Sequence, residues 1–197
     1  MTDWLLSAVP TYGPWLVAMV TFLSCLALPV PASILMLAAG GFAAAGDLGL
    51  WQVAGGALAG AVVGDQTGYW AARAGGPTLL ARIAKGDARA PVVEKARTLL
   101  AAKGVVAVFL TRWLLSPLGP YANLVTGATG FGWLPFTLAA AAGEAVWVGV
   151  YTGAGFAFGG NLQAATQFAG SIIGFLAAGT VAFGLGFWLL SLARSGH

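Results

Sequence analysis

Two acidic side chains lie inside long apolar stretches, where a carboxyl group can take up and release a proton. Asp65 stands within an apolar segment at about 51–72, and Arg73 follows two helical turns later. Glu144 stands within a second apolar segment, at about 132–158. A carboxylate at the centre of a bilayer costs about 2.5–3.5 kcal/mol, so each acid needs a partner or a purpose. We predict that both acids are proton-coupling residues.

Arg112 is the complementary charge, and it stands just before a proline turn at residues 117–120. Its guanidinium is always charged and offers a forked donor that matches phosphate or carboxylate oxygens. Two interpretations are open. Arg112 forms a structural salt bridge with Asp65 or Glu144, since buried charges are usually paired, or it holds an anionic headgroup while an acid exchanges protons. Both hold in turn if the substrate displaces the internal partner, so we predict Arg112, helped by Arg73, as substrate-binding.

Asn123 follows the same proline turn. Its amide would donate and accept hydrogen bonds at a substrate site, or would satisfy backbone groups left unpaired by a broken helix. We retain it as a substrate-binding candidate beside that second interpretation.

Other kinds of chemistry find little support in the sequence. The only cysteine is Cys25 and the only histidine is His197, which excludes an internal disulfide and argues against a metal site. Cys25 is interpreted as a small apolar packing residue. No nucleophile with a base and no phosphate-binding loop is evident. We therefore expect no enzyme activity, no metal and no cofactor.

The segments that position these residues are those of a polytopic α-helical membrane protein. Charged residues make up 8% of the chain and hydrophobic residues 59%, against roughly 25% and 45–50% in soluble domains. Residues 4–46 and 145–193 carry no charge. As one helix, the first run would extend about 64 Å, so it must turn back within a hydrocarbon core about 30 Å thick. Residues 1–20 contain no Lys or Arg, and we expect the first segment to be retained.

Seven of the nine basic residues are concentrated between two of the apolar segments. The positive-inside rule predicts that this loop is cytoplasmic, and Arg194 suggests that the C-terminus is also inside; we expect both termini there. Anionic lipid headgroups explain the loop better than nucleic acid does. The seven residues are Arg73, Arg82, Lys85, Arg89, Lys95, Arg97 and Lys103.

Proline and glycine divide the chain into broken and continuous helices of one membrane domain, 1–197. Pro29 and Pro31 interrupt the first apolar run, because proline disfavours helix around it, and the arm that follows is too short to span. We predict a re-entrant hairpin there and a second at the proline turn. The segments are a span at 12–28, a hairpin at 29–46, a span at 51–72, a basic amphipathic loop at 73–103, a hairpin at 104–130, and spans at 132–158 and 164–192.

The two halves form a loose inverted repeat. Opposed broken hairpins of this kind surround the midplane site of many transporters. The alternative is that the similarity arises by chance, as it can in any glycine-rich membrane protein. The first copy has Pro29, Pro31, Gly40, Gly41, Trp51, Gly64, Asp65 and Tyr69, and the second has Pro117, Pro120, Gly127, Trp133, Gly143, Glu144 and Trp147.

A ridge of small residues runs along the 51–72 segment, at Gly56, Gly60, Gly64 and Gly68. Such a ridge lets another backbone approach closely. We interpret it as a packing surface, beside which Asp65 faces protein rather than lipid.

The order of these motifs resembles the DedA (SNARE-associated, VTT-domain) family of membrane proteins over about residues 28–160. Residues 64–76 read GDQTGYWAARAGG, similar to the family signature G-D-x-x-x-Y-x-x-x-R-x-G. Residues 109–113 read FLTRW, similar to F-x-x-R-F, with Gly127 following. Residues 143–147 read GEAVW, similar to G-x-x-x-W.

This resemblance implies two opposed re-entrant hairpins in a bacterial inner membrane protein that carries a polyprenyl phosphate or another phospholipid between leaflets, with proton coupling. Asp65, Arg73 and Arg112 carry over on this basis. Two positions depart from the pattern. Ser33 stands where members of the polyprenyl-phosphate type have an acid, and the second arginine expected after Arg112 is missing. Glu144 would then be the titrating acid, or the protein would be a less selective scramblase.

Three functions therefore remain open at the level of sequence. The first is a transporter of an anionic lipid, with a proton or another cation as partner. The second is a carrier of a small oxyanion that uses the same charges. The third is a non-transporting scaffold, which would tolerate loss of both buried acids. Transport is favoured because three intramembrane charges are hard to explain as packing, and a homodimer is one of the oligomeric states open to it.

Overall fold

The computed structural model describes residues 2–83 and 90–159, and within these ranges every regular element is a helix. The predicted all-α class is confirmed for this part of the chain. The predicted span at 164–192 and the part of the basic loop at 84–89 lie outside it. The helices are α1 (Thr2–Cys25), α2 (Ala32–Ala45), α3 (Leu50–Ile83), α4 (Ala90–Trp113), α5 (Gly119–Ala128) and α6 (Trp133–Phe158), with a 3-10 turn at Ser116–Leu118.

Two proline turns separate the short helices from the helices that precede them. In the first turn, after Cys25, Ala27 has a positive φ of 65°, and Pro31 directly precedes α2. In the second, α4 and the segment Ser116–Ala128 meet at 113°. Proline has no N–H to donate and restricts the residue before it, so both helices stop near the predicted positions.

Glycine also interrupts the two helices that flank the basic segment. Gly76 in α3 has φ 56° and Gly104 in α4 has φ 50°, a conformation that residues with a Cβ rarely adopt. Apart from the break at Gly76, the predicted loop at 73–103 is helical wherever it is described. Its second part is amphipathic, since Val93 and Ala96 are buried while their charged neighbours are exposed.

Each short helix packs against the long helix of the other half of the chain. Helix α1 lies along α3 and α4 lies along α6, whereas α2 contacts α6 and α5 contacts α3. A Cβ built at Gly40 of α2 would collide with the backbone at Thr152 of α6, and one at Gly127 of α5 would collide with the backbone at Tyr69 of α3. Glycine is required at these crossings because the backbones approach so closely.

The predicted small-residue ridge on α3 is confirmed as a packing surface. A Cβ at Gly56 would lie 2.8 Å from the carbonyl oxygen of Pro14, and one at Gly64 would lie 2.7 Å from that of Phe22. Further along, Gly68 faces Asn123 of α5. Asp65 is 1% exposed and faces protein, as expected.

The helices differ in their capacity to cross a membrane. By length and hydropathy, α6 qualifies alone among the described helices, and Ala90–Trp113 with Ser116–Ala128 qualifies as one bent pair. Tyr12–Cys25 and Ala32–Ala45 are shorter apolar helices. Trp15 and Trp51 are 76% and 86% exposed, so large apolar side chains cover part of the outer surface.

Candidate functional site

Four of the five predicted site residues meet at one buried point. Asp65 comes from α3, Arg112 from the end of α4, Asn123 from α5 and Glu144 from α6, and none is more than 3% exposed. The close crossings allow this convergence. A Cβ at Gly143 would lie 2.7 Å from the Cβ of Arg112, so α6 brings Glu144 beside the arginine because the residue before it is glycine.

Arg112, Asp65 and Asn123 form a closed triangle of hydrogen bonds. Arg112 Nη1 donates to Asp65 Oδ1 at 2.9 Å, and Arg112 Nη2 donates to Asn123 Oδ1 at 2.6 Å. Asn123 Nδ2 donates to the same Asp65 oxygen at 2.8 Å and to the carbonyl oxygen of Cys25 at 3.4 Å. In this structure Arg112 therefore forms the salt bridge with Asp65 that was one of its two interpretations. The amide of Asn123 contacts both charged groups and also satisfies a backbone carbonyl.

Glu144 is the less well satisfied of the two acids. Its Oε1 lies 4.0 Å from Arg112 Nε and accepts a contact from the Cys25 thiol at 3.9 Å. Among the described residues, neither Glu144 Oε2 nor Asp65 Oδ2 has a hydrogen-bond partner. One guanidinium therefore faces two carboxyl groups. Either one carboxyl carries a proton, or the buried cluster holds an uncompensated negative charge, which is costly in a medium of low dielectric constant.

Cys25 packs in the apolar core, as predicted, and its thiol also borders this cluster. The sulfur of Cys25 and one oxygen from each of Asp65 and Glu144 lie within 4.8 Å of one another, a set that could ligate a metal ion. A divalent cation would have to enter beside the guanidinium of Arg112, 2.9 Å from Asp65. Repulsion between the two positive charges favours the guanidinium as the cation of this cluster.

A sequence signal for Cys25 exists. Residues 22–25 read FLSC and residues 109–112 read FLTR. In the first, the Phe22 carbonyl and Cys25 lie against Gly64, which precedes Asp65. In the second, the Phe109 carbonyl and Arg112 lie against Gly143, which precedes Glu144. A Cβ at Gly64 would lie 2.8 Å from the Cβ of Cys25, much as Gly143 faces Arg112.

Arg73 lies apart from the other predicted residues, on the surface. Its Nη1 donates to the Tyr69 hydroxyl at 2.9 Å and to the carbonyl oxygen of Phe131 at 3.4 Å. The guanidinium carbon lies 5.9 Å from the ring centre of Trp70. Tyr69 donates to the same carbonyl, so Arg73 joins α3 to the turn that follows α5.

A cavity of about 500 Å³ lies between the two proline turns. Residues 27–34 line one side and Ser116, Pro117, Pro120 and Tyr121 the other, with Ser24 and Trp147 completing it. The turn links the cavity to the cluster, since Ser116 Oγ donates to the Arg112 carbonyl at 3.3 Å and Arg112 Nη1 donates to the Gly119 carbonyl at 3.3 Å. Nothing in the sequence marks Ser24 and Ser116 as site residues, because a lone serine near a proline carries no signal.

Comparison with known proteins identifies relatives of the chain. A family model described as the VTT domain matches residues 30–157. An uncharacterized membrane protein of Synechocystis sp. is 33% identical over 124 residues, which are 62% of this chain and 56% of that protein. The chain thus spans little more than half the length of this curated relative. No solved structure matches.

Proposed function

We propose that the chain moves an anionic lipid between membrane leaflets. The premise is that it belongs to the DedA family of membrane proteins, whose domain is the VTT domain. The cargo is a polyprenyl phosphate carrier or another phospholipid. One observation carries the proposal: Arg112 is held, 3% exposed, between two acids beside an open cavity. A buried ion pair contributes little to stability compared with well-packed apolar residues, so its presence favours a role in function.

The proposed membrane arrangement is an inverted repeat in a multi-pass protein of the bacterial inner membrane. In it, α2 and α5 are the returning arms of two opposed re-entrant hairpins, and the termini and the basic segment are cytoplasmic. The reciprocal packing of α2 on α6 and α5 on α3 supports this arrangement, as does the 113° bend before α5. Arg82, Lys95 and Arg97 are exposed on the basic segment, where anionic headgroups would attract them.

The proposed mechanism exchanges one anion for another at Arg112. A phosphate oxygen that reaches Arg112 replaces Asp65 as its partner, and the released carboxylate takes a proton from water so that no uncompensated charge stays buried. When the lipid leaves, the ion pair re-forms and the proton departs. Glu144 already lies at the edge of the guanidinium's reach, at 4.0 Å, and is the second proton carrier.

Reconstitution of the full chain in liposomes tests this function. We expect labelled polyprenyl phosphate or phospholipid to cross the bilayer with the wild-type protein, and Arg112→Ala to abolish the movement. Arg97→Ala is the matched control, because Arg97 is an exposed arginine on the basic segment and its loss should leave the rate nearly unchanged. Unchanged transport by Arg112→Ala would remove the headgroup role of this residue.

Two other outcomes would identify related functions. Uptake of a soluble oxyanion without lipid movement would show a small-anion carrier. A rate of lipid movement that does not change with an imposed proton gradient would show a scramblase without ion coupling. Ser33, in place of the family's acid, favours this outcome.

A further inference from the structure

We propose that the cavity between the proline turns is the headgroup site and that it accepts a singly charged phosphodiester in preference to a phosphate monoester. The inference rests on the proposed lipid transport and narrows its cargo to diester phospholipids, since polyprenyl phosphate is a monoester. Three observations on the described part of the chain carry it: the apolar and hydroxyl lining of the cavity, the absence of charge among its lining residues, and Arg112 as the one buried cation of the adjoining cluster.

The lining of the cavity suits the junction between a headgroup and its chains. Its mouth carries large apolar side chains, since Leu28 is 48% and Ile34 is 56% exposed. Its polar groups are the hydroxyls of Ser24, Ser33 and Ser116, together with Tyr121 and Trp147. A soluble anion would gain nothing from the apolar mouth, whereas a lipid buries its first methylene groups there.

Hydrogen-bond donors in the cavity are neutral. Trp147 Nε1 donates to Ser33 Oγ at 3.2 Å, which leaves the Ser33 hydroxyl proton available for a ligand oxygen. Ser33 and Ile34 belong to the first turn of α2, whose N–H groups have no partner within a helix. These donors bind phosphate oxygens without neutralising their charge.

Charge in and behind the cavity limits the headgroup to one negative charge. Among the described residues that line the cavity, none is Asp, Glu, His, Lys or Arg. In the adjoining cluster, the single guanidinium of Arg112 already faces Asp65 and Glu144. A phosphodiester brings one negative charge, which Arg112 can balance while an acid is protonated. A monoester carries about 1.5 to 2 negative charges at pH 7, and the excess would face a carboxyl group with no second cation.

The test compares two lipids with identical acyl chains, phosphatidylglycerol as the diester and phosphatidic acid as the monoester, in phosphatidylcholine vesicles that contain the full chain. The measurement uses about pH 5 and about pH 8.5, on either side of the second phosphate pKa of about 6. At the higher pH we expect phosphatidylglycerol to move about tenfold faster than phosphatidic acid. At the lower pH we expect the rates of the two lipids to converge. The ratio at each pH cancels any effect of pH on proton coupling.

Equal rates, or faster movement of phosphatidic acid, at the higher pH would overturn the proposed preference while leaving lipid transport intact. Movement of neither lipid would also overturn the preference, and it would overturn the proposed function itself if labelled polyprenyl phosphate failed to move as well. Entry of labelled inorganic phosphate into the same vesicles without lipid movement would overturn the lipid assignment of the cavity.

A pair of variants at one position separates charge from shape. Ser33→Lys should lower the preference for the diester several-fold, because it adds the missing cation, whereas Ser33→Gln of similar size should leave the preference near the wild-type value. Equal effects of both variants would show a steric cause and contradict the charge argument. Thr67→Ala is the control for loss of a hydroxyl, since Thr67 is exposed and donates to Val63 of its own helix.

Discussion

At the scale of single residues, Arg112 is held by several partners at once. It contacts Asp65, Asn123 and the Gly119 carbonyl, and its guanidinium carbon lies 5.6 Å from the ring centre of Phe136. The sequence could predict the charges, because ionisable residues are rare in apolar segments. It could not predict that Asn123 bridges them, because that contact depends on the angle between α4 and α5.

Asp65→Asn should destabilise the protein by about 3–5 kcal/mol, because it leaves the buried guanidinium without its nearest counter-charge. The remaining carboxyl, Glu144, is 4.0 Å away and not hydrogen-bonded to it. Thermal unfolding in detergent measures the change.

The double variant Asp65→Asn/Arg112→Gln is the control for this prediction. Removal of both charges should recover most of the lost stability while transport stays absent. A double variant as unstable as Asp65→Asn would show that the pair stabilises through shape and not through charge.

At the scale of helices, glycine determines where the site is assembled. Gly64 admits the end of α1 and Gly143 admits the end of α4, and each immediately precedes a buried acid. Sequence periodicity predicted the ridge on α3. It did not predict the breaks at Gly76 and Gly104, because an isolated glycine in a helical pattern is as often tolerated as it is disruptive.

Gly143→Ala should destabilise the protein by about 1–3 kcal/mol and slow transport, because the added methyl group meets Arg112 and the backbone of Phe109. Gly149→Ala lies on the same helix, where a Cβ would meet no atom within 4 Å. It should be neutral or stabilising by up to about 1 kcal/mol. Unfolding midpoints and transport rates measured side by side check both, and equal effects of the two variants would contradict the crossing as the cause.

At the scale of the whole molecule, the positions of helices were more predictable than their contacts. Proline turns and apolar lengths place α2, α5 and α6 near their observed bounds. The packing of α2 on α6 and of α5 on α3 joins residues that are far apart in sequence, and no local pattern encodes such pairs. The matching contacts of Cys25 and Arg112 depend on the crossings at Gly64 and Gly143, which join helices far apart in sequence.

The proposed repeat predicts that the cation can be moved from one half to the other. Arg112→Cys should abolish transport, and Cys25→Arg/Arg112→Cys should raise the rate about tenfold above that variant, equivalent to recovering about 1.4 kcal/mol. The reason is that both positions border Asp65 and Glu144. Liposome transport measures the rates, and Arg112→Cys with Cys25→Leu is the uncharged control. No recovery in the swapped variant would argue against equivalence of the two positions.

The place of Cys25 has a practical consequence. It is the single sulfhydryl of the chain and is buried against the two acids. A thiol-specific alkylating reagent added to the unmodified protein can therefore react at one position alone, and only when water reaches the charged cluster. The rate of that reaction therefore measures how often the cluster opens to solvent, and no cysteine has to be introduced for labelling.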